Sequence, residues 1–213
     1  MKKFLRGRLD LAKYLHSDVP SANYADVVLI ITAILSACAS LRWPGEGNDK
    51  KRFIELLVKH SCPDLHASWV SIPALIDSKI LLERDTPYGK PGDSDRIFTG
   101  REIDMSIEDA QRKYPKIKSK QLKEHCYASI IYKWLRCGYA HEYCPDENIT
   151  QSPPSRRDAK VSYIGRGMDD RGEVKMRMVG FHLDYLFSVA DDHIAKLPST
   201  KSEQPSKWWI DEQ

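Results

Sequence analysis

Between Asn23 and Pro44 lies a run, Val27 to Leu41, that is apolar almost all the way round a helix. A helix with no polar face has to be enclosed by other elements. The run therefore predicts a central, buried helix around which the rest of the chain is arranged. Asn23 offers its N-cap, and Pro44-Gly45 stops it. The wider stretch Ala25 to Leu41 also holds Asp26, Thr32, Ser36 and Ser40. It thus falls short of the roughly 18 apolar residues expected of a membrane span, and no membrane partner is expected.

Other helices follow from the same spacing. Phe4, Leu5, Leu9, Leu11, Tyr14 and Leu15 mark a first helix, and Phe53 to Val58 a third that ends before Pro63. Trp69 to Leu82 reads as a fourth, with Pro73 near its start. Asp85 to Asp104, rich in Pro and Gly, reads as a long loop. Ser106-Ile-Glu-Asp109 has the form of a capping box, and Ser119 can cap a helix running to about Tyr143. Gln151 to Lys160 reads as a linker.

Val161–Ile164 and Val174–Phe181 flank a Gly- and Asp-rich segment in the pattern of a β-hairpin, and His182–Leu197 forms a last helix. The fold class is therefore mainly α: a helical bundle with a late hairpin, at about 161–181, before the C-terminal helix. Residues 1–197 form a single domain, and 198–213 a polar tail whose Trp208-Trp209-Ile210 can dock on the body or on a partner.

Composition narrows the function class. With 41% hydrophobic and 30% charged residues the chain can bury a core, which excludes disorder of the whole. A net charge of +3 neither requires nor excludes a nucleic-acid partner, because clustering decides that. Five cysteines, with no C-x2-C pair, fit reduced thiols in a cytoplasm and suggest no zinc site. The charged residues of Met1–Asp10 leave no signal-like apolar segment. No phosphate-binding glycine loop, H-E-x-x-H or G-x-S-x-G is present, so neither metal nor cofactor is expected.

What remains is Ile131-Tyr-Lys-Trp-Leu-Arg136-Cys-Gly-Tyr-Ala-His141-Glu-Tyr143, of the form R-x4-H-x-Y. Chemically this is a minimal set for cutting RNA without metal. Imidazoles exchange protons near neutrality, taking one from a ribose 2′-OH or giving one to a departing 5′-oxygen. A guanidinium stays charged and grips phosphate oxygens through paired donors. On an ideal helix Arg136 and His141 diverge by about 140°, about 7.5 Å apart along the axis, so one helix does not put them on one face. The same residues also suit a surface arginine and a helix-end histidine. A second match, Arg177 to His182, crosses the end of a predicted strand and is coincidental. Lys116, Lys118, Lys120 and Lys123, with Arg156 and Arg157 beyond the motif, are candidates for RNA phosphates or a solvated charged face.

Leu135–Tyr143, on the penultimate long helix, resembles the R-x4-6-H motif of the HEPN superfamily, with the x-Tyr extension of HEPN toxins paired with minimal nucleotidyltransferase antitoxins. The resemblance extends over the helical order from Ala25 to Tyr143; Cys137 stands where many members carry a polar residue. It implies a metal-independent endoribonuclease that acts as a homodimer with its motif helices facing each other. Arg136 and His141 would be its catalytic pair, and Tyr143 the residue a cognate antitoxin nucleotidylates. It points to a toxin or antiviral defence effector. The alternative it implies is an inactive HEPN-like module that binds a partner protein, nucleotide or RNA within a larger complex.

Overall fold

A computed structural model describes residues 1–82, 85–86, 97–144, 146–151, 153, 159–168, 174–198, 200 and 202–212. Helices dominate, at 59% against 9% strand. Lys2–Asp18 forms α1, Tyr24–Arg42 α2 and Asp49–His60 α3. A single 3₁₀ turn, Pro63–Leu65, leads to α4, Ile72–Asp77. Then come β1 (Phe98–Thr99), α5 (Gly100–Ile103), α6 (Ile107–Lys113) and α7 (Ser119–Glu124). The motif helix has three stretches in direct succession: α8 (Tyr127–Ile130), a π-helical segment (Ile131–Cys137) and α9 (Gly138–Glu142). β2 (Val161–Met168) and β3 (Val174–Phe181) precede α10 (Leu183–Ala195), and a 3₁₀ turn at Trp209–Asp211 closes the chain.

Helix α2 is fixed at its start by a full capping box. The Asn23 side chain accepts from the Asp26 N–H, and the Asn23 N–H donates to the Asp26 carboxylate. It packs against α1, α3, α10 and the π and α9 stretches of the motif helix. Val27, Val28, Ile31, Ile34, Leu35 and Cys38 are buried there. The expectation of burial on every side does not hold. Leu29, Ile30, Ala37 and Leu41 are only partly buried, Ala33 is exposed, and half of the helix's apolar window is covered. By length and mean hydropathy (2.0) α2 meets the requirements of a membrane span, as core helices of soluble bundles also do.

Three elements differ from their sequence expectations. The fourth helix is confined to Ile72–Asp77, because Ser71 caps it and Pro73 favours a first turn; Ser78 and the left-handed Lys79 (φ 57°) end it. The end of the expected loop, Phe98–Ile103, forms β1 and α5, since Phe98 pairs with Tyr163 and Thr99 with Ser162. The expected helix from Ser119 to Tyr143 is broken at His125-Cys126. There the His125 carbonyl accepts from the Ser71 N–H, and Cys126 pairs with Val70. The hairpin forms in antiparallel register from Val161↔Phe181 to Met168↔Val174, giving a sheet ordered β1-β2-β3.

A buried carboxylate ties these pieces together. Asp104, 6% exposed at the end of α5, accepts hydrogen bonds from the Tyr127 phenol, from the Tyr163 phenol (2.6 Å) and from the Ile72 N–H (3.0 Å). Tyr163 also donates to Ser71 (2.8 Å). Gly100 is required beside them, because a Cβ there would stand 2.2 Å from the Tyr127 oxygen. Burial pushes the Asp104 carboxyl up to about 7, the three donors offsetting only part of the desolvation.

A raised carboxyl pKa makes the folded state the better proton binder above the ordinary value of about 3.9. The contribution is full below that pH and is lost as pH rises through 7. Wild type should therefore lose stability relative to Asp104→Asn as pH rises from mildly acidic to neutral. The slope should approach about 1.4 kcal/mol for each step of one pH unit, read from paired denaturant melts. A constant difference across that range would mean an ordinary carboxyl.

Candidate active site

The motif helix starts where backbone donors already have partners. The Tyr127 and Ala128 N–H groups donate to the carbonyls of Trp69 and Ala67, both at 2.9 Å, so the exposed-donor problem of a helix start is solved by the loop before α4. Tyr127, Ile131, Trp134, Leu135 and Tyr139 are buried, as a core stripe requires. His125 and Cys126 serve packing, the former bonded to the Gln121 carbonyl (2.7 Å) and to Ser78 (2.9 Å), the latter fully buried.

Arg136 lies in the π-helical stretch. The wider i→i+5 turn of such a segment keeps Tyr132 and Arg136 on one side. The guanidinium sits 5.5 Å from the centre of the Tyr132 ring, and that ring in turn meets Phe53 edge-on at 5.3 Å. Arg136 is half-buried and makes no ion pair among the described residues. It lines a pocket of about 170 Å³ between α2, α3 and the motif helix, with Ser36, Ser40, Asp49, Arg52 and Tyr132. His141 is not part of that pocket. It stands exposed in the last turn of α9, as does Glu142. One chain thus separates the two motif residues, in keeping with their divergence on a helix.

Tyr143 ends the helix in the left-handed conformation (φ 50°), a position that glycine or asparagine usually takes. Its exposed phenol donates to the Asp26 carboxylate, the one that closes the α2 capping box. This bond raises the phenol's pKa, and the Asn23 N–H and the phenol lower that of Asp26. Arg136 lies opposite Ser36 and Ser40, and Tyr143 opposite Asp26, so the motif helix runs antiparallel to α2.

The candidate phosphate contacts divide. Lys116, Lys118 and Lys120 are exposed around the start of α7, an element separated from the motif helix by the break at His125-Cys126. Lys123 is committed elsewhere. It is 6% exposed, its ammonium donates to the carbonyls of Trp209 (2.6 Å) and Glu212 (3.0 Å), and it lies 4.7 Å from the centre of the Trp209 indole. Arg156 and Arg157 lie outside the described residues. Of the second sequence match, Arg177 is buried over the Phe98 ring and His182 bonds Ser162 (2.8 Å), so both serve the hairpin and the start of α10.

Sequence reasoning did not find Arg52, Asp49, Ser36 or Ser40, because they reach the motif only through helix packing. Nor did it find Asp26, read only as a polar interruption of the apolar stretch, as the partner of Tyr143.

No protein-family model, curated protein or solved structure matches this chain.

The docked tail gives a direct check on Lys123. Trp209, 8% exposed, donates its N–H to the buried Glu55 carboxylate at 2.6 Å. Lys123→Met should destabilise the fold by about 1–3 kcal/mol, the cost of leaving buried carbonyls unpaired. Lys116→Ala and Lys120→Ala should stay within about 0.5 kcal/mol. Thermal melts that do not separate the two sets would place Lys123 on the surface instead.

Proposed function

We propose that the chain is a HEPN-type, metal-independent endoribonuclease that works as a homodimer in a cytoplasm, as a toxin or antiviral defence effector. The observation that carries this reading is the state of Arg136. A half-buried guanidinium held on a tyrosine face, without an ion-pair partner among the described residues, is a cation prepared for an anion. RNA phosphate is the anion that the motif's histidine and tyrosine suit chemically.

In this mechanism Arg136 holds the non-bridging phosphate oxygens and offsets the charge that builds as the ribose 2′-OH attacks phosphorus. One His141 accepts the 2′-OH proton. The P–O5′ bond breaks, and a protonated His141 supplies the proton to the leaving 5′-oxygen. The products are a 2′,3′-cyclic phosphate and a free 5′-OH.

Two acid–base groups are needed and each chain's motif brings one histidine. A two-fold contact supplies the second. The partly open apolar face of α2, with Ile30, Ala33, Ala37 and Leu41 along it, supports such a contact, because α2 packs against the motif helix and this face is only partly covered among the described residues. Tyr143 serves regulation here: a nucleotide attached to its exposed phenol would place negative charge and bulk next to His141.

Cleavage of total RNA should survive EDTA and leave 2′,3′-cyclic ends, and His141→Ala or Arg136→Ala should abolish it, the first with the melting curve unchanged and the second with the fold retained at a cost of about 1 kcal/mol. Strict magnesium dependence would remove the mechanism. Folded wild type that binds RNA without cutting it would favour the inactive binding module. Co-expression of wild type with His141→Ala tests the shared site: at an equal mixture about one quarter of the activity remains if both histidines are needed, and about one half if sites are independent.

A further inference from the structure

We propose that the pocket beside Arg136 is a subsite for one internal phosphodiester of the RNA strand, with Arg52 of α3 as its second cationic wall; this rests on the nuclease reading above. The pocket's about 170 Å³ is the liquid volume of about six waters, room for a tetrahedral oxyanion together with neighbouring sugar atoms or water. Ser36 and Ser40 come from α2, Asp49 and Arg52 from α3, and Tyr132 and Arg136 from the motif helix, so three helices converge on it.

Arg52 is fixed before any ligand arrives. Its side chain is 14% exposed, Nη1 donates to the Gly45 carbonyl (2.8 Å) and the Trp43 carbonyl (3.4 Å), and Nη2 pairs with Asp49. Arg136 is fixed from the other side by the Tyr132 ring. Neither long side chain then gives up much rotamer freedom on binding, which is what usually weakens an arginine contact. The Ser40 hydroxyl is used on the Ser36 carbonyl (2.9 Å), leaving the Ser36 hydroxyl as the neutral donor of the pocket.

Charge selects the ligand. Two guanidiniums against the Asp49 carboxylate leave one positive charge at the wall, which matches the single negative charge of an internal phosphodiester. A terminal phosphate, carrying about −1.5 to −2 at neutral pH, would exceed it and face Asp49 at close range. The subsite therefore reads the interior of a strand rather than its end. It gives Arg136 a fixed companion for strand placement while His141 works from the exposed helix end.

The test uses full-length protein and a 2′-O-methyl RNA hexamer, which cannot be cut by 2′-OH attack, with binding read by fluorescence anisotropy across salt. Ser36→Asp puts a carboxylate in the pocket without touching the bonds of Arg52, and Ser36→Asn is its neutral match in size. Ser36→Asp should weaken binding about tenfold or more, and the log–log salt slope should fall by about 0.7, one phosphate on a single strand. Ser36→Asn adds bulk but no charge, so it should cost less affinity than Ser36→Asp and leave the salt slope at its wild-type value. A dinucleoside monophosphate should compete better than a nucleoside 5′-monophosphate. Equal affinity of Ser36→Asp and wild type, equal losses in the two variants, or better competition by the terminal phosphate overturns the subsite. Unmodified RNA cut equally well by wild type and Ser36→Asp removes the subsite and keeps the nuclease. Charge-dependent binding at Ser36 with no cleavage by wild type removes the nuclease and keeps the subsite.

Discussion

Helix α2 carries more apolar surface than the described elements cover, and the arrangement of everything else follows from that. Each aliphatic side chain that leaves water there contributes about 1.5–3 kcal/mol, against about 1–2 kcal/mol per residue for ordering the backbone. A helix in that balance stands only with neighbours. It has four: α1, α3, α10 and the motif helix. Its two ends are also tied. The capping box at Asn23 is linked onward to Tyr143, while the tail returns to the far end through the Ser202 N–H to Arg42 carbonyl bond (2.8 Å). Trp208 then meets Trp43 edge-on at 5.6 Å.

Two buried ionisable groups set the other fixed points, and they are satisfied in different ways. Asp104 meets three donors and no cation, so it gains directionality at the expense of its charge. Lys123 keeps an ammonium inside by facing two carbonyls and the Trp209 ring, and burial lowers its pKa. The first fixes Tyr127, where the motif helix begins. The second holds the tail onto α7. Between them the start of the motif helix has no freedom to slide, and the position of Arg136 further along is determined by the path of that helix.

The sequence carried the parts of this that depend on neighbours in the chain. The cap at Asn23, the capping Ser106, the hairpin and the presence and end of α3 were visible as local spacing, though its first turn from Asp49 was not. What was hidden depends on contacts across the chain. Lys123 looks like its neighbours Lys118 and Lys120 until Trp209, 86 residues later, settles on it. The break at His125-Cys126 exists because Val70 and Ser71 compete for the backbone there. The π-helical segment gave no residue-level sign, since no proline or glycine lies within Ile131–Cys137. Of the candidate site, the motif residues were legible by type and order; the pocket was not, because α2 and α3 supply most of its lining.

The motif helix faces two ways at once, and this gives the proposed chemistry its shape. Its π-helical stretch turns Arg136 toward α2 and α3, into the pocket proposed to hold a phosphate, where it is half-buried. Its last turn presents His141 to the outside, where a proton carrier has to be if it is to exchange with water between turnovers. A single chain cannot focus both on one phosphorus atom from those positions. An antiparallel second copy across the open face of α2 would set its own exposed His141 near the first chain's pocket, because a two-fold contact pairs each patch with itself. The separation that makes the single chain look incomplete is, in the dimeric reading, what divides phosphate holding from proton transfer between two well-defined places.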